Sequence, residues 1–195
     1  MATKEAVRFG LKNAHYAVWD ESTGKYGTPQ AWPGAVSLSL SPEGDSSTFY
    51  ADDKAYYTVN SNGGYTGTLE FATIPEEAEV ALLGMVKDAS GMVVEDSGAV
   101  AASFALLFEV SSNIEPVRFN MFNCTLSRPS IEANTKQDST DVDTTSMDIT
   151  CIARTFAYGD STIDAVKGHL ALTDDTKAKY DAFYDAVLLP TKASA

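Results

Sequence analysis

Two cysteines, two histidines and only 14 basic residues among 195 deprive this chain of material for several kinds of chemistry. Cys124 and Cys151 are too few for a secreted disulfide framework, and they read as reduced thiols packed as small hydrophobes. His15 and His169 join no cysteine at zinc-ligand spacing. The 14 Lys plus Arg face 27 Asp plus Glu, a net charge of −13. That balance opposes a nucleic-acid grip, which needs cations against phosphates, and it opposes an anionic membrane surface. The longest apolar run, Val100 to Val110, is interrupted by Ser103 and Glu109. A membrane helix needs roughly 20 apolar residues, so no membrane insertion is expected. The start, Met1-Ala-Thr-Lys-Glu-Ala6, has no apolar stretch of the signal-peptide kind, so synthesis in the cytoplasm is expected. A Gly-x-Ser-x-Gly elbow, a P-loop and a dinucleotide fingerprint are all missing from the sequence.

What is present is alternation. Hydrophobic residues make up 44% of the chain, enough for a packed core. Val36, Leu38 and Leu40 fall on one side of a period-two segment, with Ser37, Ser39 and Ser41 on the other. Aromatic and β-branched residues dominate Ser46 to Asn60: Phe49, Tyr50, Tyr56, Tyr57 and Val59. Asn62-Gly63-Gly64 supplies residues that tolerate positive φ and can turn the chain. Tyr65, Gly67, Leu69, Phe71 and Thr73 then share a strand face. Further strands are expected at Ala14 to Trp19, Met92 to Glu95, Val100 to Val110, Val117 to Leu126, Arg128 to Ala133 and Ser146 to Phe156.

Two helices complete the pattern. Pro75, Glu76 and Glu77 suit a first turn, Ala78, Ala81 and Leu82 form a stripe, and Gly84 can end the helix. Near the C-terminus Thr173 is the expected N-cap of a helix closed by Pro190. Tyr180, Phe183, Tyr184, Val187 and Leu188 follow helical spacing, and Lys177 can pair with Asp181 at i,i+4. Consecutive strands with tight turns predict a mainly β fold, an antiparallel sandwich or barrel with two short flanking helices.

Residues that could carry chemistry are few and scattered. Gly44-Asp45-Ser46 and Gly159-Asp160-Ser161 match a triplet found in some serine hydrolases, and Asp164 and His169 have the types of a triad without its spacing. Both triplets are also ordinary turn sequences. His15, in a strand, and His169, in a loop before the final helix, read as structural or surface histidines. Asp138, Asp141 and Asp143 could offer oxygen to calcium, but not at EF-hand spacing, and Thr135 to Thr145 reads as an exposed loop. Asn123-Cys124-Thr125 is a glycosylation triplet without the expected leader. Tyr50, Tyr56, Tyr57 and Tyr65 could stack on sugars, or pair across strands. No catalytic, cofactor-binding or metal-binding residue is assigned, and a noncatalytic binding or assembling protein is expected. Strand edges must be closed, covered or paired, and pairing them with another copy builds an assembly.

One resemblance sharpens this. Val7-Arg-Phe-Gly-Leu-Lys-Asn-Ala-His-Tyr-Ala17 resembles the opening of the major tail protein family of long-tailed (siphovirus) bacteriophages. So do Tyr26-Gly-Thr-Pro29, the stretch Pro33 to Asp53, Gly63-Gly-Tyr-Thr-Gly-Thr-Leu-Glu70 and the closing Tyr180 to Pro190. The likeness runs over about residues 6 to 191, as one tail tube domain spanning 1–195, without the C-terminal immunoglobulin-like domain that many members carry. It implies a β-sandwich with a flanking helix, and self-assembly into hexameric rings that stack as a tube. The implied partners are other copies, the tape measure protein, and the tail terminator and distal tail proteins. DNA would pass only in transit, and the place of work is the virion. A related ring-former of a secretion or injection machine and a carbohydrate- or protein-binding surface module are the alternatives. The segment Ser41 to Gly64, too long for a tight hairpin connection, is expected to reach a neighbouring subunit or ring.

Overall fold

Alternating β-branched and aromatic residues place strands over 53% of the described residues, against 7% helix. The computed structural model describes residues 7–131 and 143–192. In chain order the first strands are β1 (Arg8–Asp20), β2 (Lys25–Tyr26), β3 (Gln30–Ala31), β4 (Ala35–Glu43), β5 (Ser46–Ala51), β6 (Lys54–Asn60) and β7 (Gly64–Phe71). Helix α1 (Glu76–Leu83) follows, then β8 (Val86–Lys87), β9 (Val93–Val94), β10 (Phe104–Ser112) and β11 (Val117–Leu126). The chain continues through β12 (Thr145–Ile152), β13 (Arg154–Tyr158), β14 (Ser161–Ala165), β15 (Lys167–Ala171) and α2 (Lys177–Asp181).

The main sheet is antiparallel, in the order β2-β1-β10-β11-β12-β7-β4, with β3 also on β1 and β15 also on β11. It curls until β4, its last strand, lies against β1. The principal core fills the concave side: Tyr16, Trp32, Leu69, Phe71, Phe104, Leu106, Met121, Met147 and Ile149, closed by Ala78, Leu82 and Leu83 of α1. Trp32 stacks on Phe71 with ring centroids 4.1 Å apart. A second cluster, Ala17, Ala105, Leu107 and Phe183, lies on the opposite face. Strand β10 is therefore covered on both sides, which explains its unbroken apolar reading: Phe104 to Glu109 are all buried.

Several expectations shift by a few residues for identifiable reasons. The strand expected at Val100 to Val110 begins at Phe104, and Ala101 to Ser103 belong to no regular element. Residues Arg128 to Ile131 form no strand, and the remainder of that expected strand lies outside the described residues. The Ser146 to Phe156 strand is two: the ladder breaks at Ala153, β12 stays in the main sheet, and β13 pairs with β14. His169 sits in β15, opposite Phe119, and not in a loop. A register shift between Ala35 and Ser37 turns Val36 outward, 50% exposed, while Ala35, Leu38 and Leu40 pack on the core.

Helix α1 has the expected ends. The Pro75 carbonyl accepts from Ala78 and Glu79, and Gly84 closes the helix at φ 72, a left-handed conformation that suits glycine. The final helix is shorter than its stripe implies: regular helix stops at Asp181, and irregular turns follow to Ala186. The N-cap of α2 is Thr176 and not the expected Thr173, whose Oγ1 accepts from the Thr176 N–H at 3.3 Å in the turn before the helix. Lys177 and Asp181 pair at 2.9 Å.

Candidate functional site

Strands β4 and β7 pair from Ala35↔Phe71 to Glu43↔Gly64. Beyond that point the two strands separate from the main sheet and continue as β5 and β6, a hairpin paired from Ser46↔Asn60 to Ala51↔Lys54. The segment is thus itself a tight hairpin, contrary to the expectation that it is too long for one. Its turn is Asp52-Asp53, with φ 52 and 57. Two consecutive left-handed residues are the geometry whose twist matches the flanking strands, and aspartate tolerates it better than most side chains. Asn62-Gly63-Gly64 turns no hairpin; it carries β6 back into β7, with Gly63 N–H donating to Glu43 O at 2.7 Å.

The root of this arm is pinned. Asp45 N–H donates to Ser61 Oγ at 2.8 Å, and Ser61 N–H donates to Asp45 O at 2.9 Å. The arm itself has little to bury against: every residue of β6 is exposed. Phe49, Tyr50, Tyr56 and Tyr57 are 63–73% exposed, and Phe49 meets Tyr56 edge-on at 6.5 Å. A six-residue strand reaches about 20 Å, so these rings stand well off the main sheet. Scattered exposed apolar residues are ordinary, but four aromatics on one two-stranded projection are a concentrated apolar surface. Two-stranded hairpins are at best marginal alone in water, so a partner surface would stabilise the arm. Tyr65 belongs elsewhere: it lies in β7, with the Lys167 ammonium 4.6 Å from its ring centroid.

The main sheet also offers backbone. Strand β4 pairs with β7 on one side and has no ladder partner on the other among the described residues. Strand β15 likewise pairs with β11 alone. Unpaired N–H and C=O rows of this kind are templates for a further strand.

A third feature fixes the C-terminal segment on the outside of the sheet. Glu109 is 4% exposed and receives Arg118 Nε at 3.0 Å, Lys12 Nζ at 3.1 Å and Asn13 Nδ2 at 3.2 Å. Burial pushes its carboxyl up, but these three donors outweigh burial and hold it below the usual carboxylate range. Arg118 also donates to Tyr180 O, and its guanidinium lies over the Tyr184 ring. Burial raises the Tyr184 phenol. His15 stacks on the same ring at 4.2 Å, so this histidine serves packing.

The remaining sequence candidates are dispersed. Ser46 stands at the root of the arm, and Gly159-Asp160 is the turn between β13 and β14, with Ser161 Oγ donating to Tyr158 O at 3.1 Å. Asp164 accepts the Thr155 hydroxyl at 2.6 Å, while the His169 ring packs 5.8 Å from that of Phe119. Asn123 lies within β11, its Oδ1 accepting Ser103 Oγ at 2.7 Å and Arg154 Nη2 at 2.9 Å. Asp143 is exposed, and Asp138, Asp141 and most of the Thr135 to Thr145 loop lie outside the described residues. The described helices include none long and apolar enough to cross a membrane. The aromatic segment is legible in the sequence but its hairpin form is not, because Asp-Asp is a weak turn signal beside Asn-Gly. No protein-family model matches the chain, and no curated protein does.

Proposed function

We propose that this chain is a noncatalytic structural subunit that self-assembles into stacked hexameric rings, forming the tail tube of a long-tailed phage. The observation that carries the self-assembly is the β5–β6 arm, whose exposed aromatic rings and sparse cover call for a second surface. The sequence resemblance over residues 6 to 191 supplies the identity of the assembly. On this reading open strand edges pair between copies, the arm reaches an adjacent subunit or ring, and the tube surrounds the tape measure protein before conducting DNA. Tail terminator and distal tail proteins cap its ends, and the virion is its location. A charge of −13 per subunit suits a conduit that must not adhere to DNA, within a screening distance of about 8 Å at physiological salt.

Negative-stain electron microscopy of the concentrated full chain tests this. Rings or tubes are the expected result, and replacing Ser46 to Asn60 by a two-residue turn should leave folded subunits that do not polymerise. Dispersed single particles at every concentration, with tail components supplied, would overturn the reading. The exposure of Tyr50, Tyr56 and Tyr57 favours one competitor, a carbohydrate-binding module that stacks sugars on those rings. Glycan-array binding lost in Tyr56→Ala, together with no polymer, would select it.

A further inference from the structure

Cys124 and Cys151 face each other across β11 and β12 as direct register partners. Their Sγ atoms are 3.0 Å apart, and both residues are 0% exposed. Directly opposed residues of an antiparallel pair have Cα atoms about 4.5–5.5 Å apart, inside the window of about 4.4–6.8 Å that a disulfide spans. The position is also mechanically placed. Strand β11 divides its free side, giving Val117 to Met121 to β15 and only Asn123 to Leu126 to β12. The β11–β12 ladder is thus four pairs long, and the two thiols sit within it.

We propose that Cys124 and Cys151 are a latent modification site, a dithiol that a small peroxide closes into a disulfide stapling β11 to β12. In the balanced step, one thiolate attacks the peroxide O–O bond, giving a sulfenic acid and releasing hydroxide. The second thiolate attacks that sulfur, forming S–S and expelling the second hydroxide. Both thiol protons end in water, the two sulfurs lose two electrons, and the peroxide gains them. Burial, followed by the contact with Cys151, pushes the Cys124 thiol well above its ordinary value, so the folded pair reacts slowly and through brief opening of the short ladder. Closure then links residues 27 apart and removes that opening. This chemistry is independent of assembly; its use rests on the reading above, in which a subunit folded in a reducing cytoplasm works outside it.

The test takes the full chain purified with reductant, freed of it, and incubated with hydrogen peroxide at neutral pH. It is then alkylated under denaturing conditions and weighed intact. The expected product is monomeric, lighter by two hydrogens, unalkylated at both positions, and joined Cys124 to Cys151 in the tryptic map. Its thermal midpoint rises, and added reductant reverses the rise. Cys124→Ala and Cys151→Ala should each keep one alkylatable thiol and show no peroxide-dependent gain. Two alkylatable thiols after a control exposed thiol is fully oxidised, sulfinic acid at either position, or links only between chains would each overturn the proposal. The assay reads single chains, so its failure is separate from a failure to form tubes.

Discussion

The guanidinium of Arg118 lies over the ring of Tyr180, 3.9 Å from its centroid. The contact joins a central strand to α2, while Arg118 Nε holds the buried carboxylate of Glu109. Removing the cation would leave Glu109 with Lys12 and Asn13 and loosen the C-terminal segment from the sheet. Arg118→Met should therefore cost about 3 kcal/mol, the lower end for breaking a buried pair, because Lys12 remains. Urea unfolding of the unassembled subunit measures it, and an unchanged midpoint would place the clasp's energy elsewhere.

Glu109 also sets an acid sensitivity. Its folded carboxyl lies below the ordinary value of about 4.3, because burial is outweighed by three donors. The stabilisation is complete above that ordinary value and is lost as pH falls through the lower folded one. Urea unfolding measured from neutral pH down to the folded value should show the wild type losing stability. Glu109→Gln, weaker at neutral pH, should lose less over the same interval. Parallel pH curves for the two proteins would remove Glu109 from the acid limb.

The C-terminal stripe should divide sharply. Phe183 is 3% exposed in the second cluster, whereas Leu188 is 39% exposed. Phe183→Ala should cost about 3–5 kcal/mol. Leu188→Ala should stay within about 0.5 kcal/mol. Thermal unfolding of the two variants side by side decides, and equal losses would contradict the packing.

Gly67 should resist any side chain. A Cβ there would stand 1.8 Å from Ser39 O and 2.8 Å from Ser39 C, backbone atoms of the adjacent strand β4. Gly67→Ala should cost at least about 1–3 kcal/mol by forcing β4 and β7 apart. Gly98, whose Cβ would meet only Asp96 Oδ1 at 3.7 Å, is the control expected to tolerate alanine. Calorimetry that finds both variants equally stable would refute the close approach.

On the arm, stability and assembly should separate. Tyr50→Ser and Tyr57→Ser remove rings that are 68% and 64% exposed, so subunit stability should move by no more than about 0.5 kcal/mol. Sedimentation should show loss of polymer in both. A polymer unaffected by the double variant would take the arm out of the proposed contact.

Local patterning by itself determined the β class, α1 with its Gly84 end and the Tyr65-to-Phe71 face. These follow from period, cap chemistry and spacing, all readable over a few residues. It did not determine which face Val36 takes, because one bulge reverses parity without changing the residues around it. It did not single out Trp32, which packs face to face with Phe71 from a segment with no period of its own. The fork of β11 between β12 and β15, the meeting of Cys124 with Cys151 and the gathering of Lys12, Asn13 and Arg118 on Glu109 were decided by the tertiary structure alone. Each joins residues far apart in the chain, and their encounter depends on strand register, which no local propensity encodes.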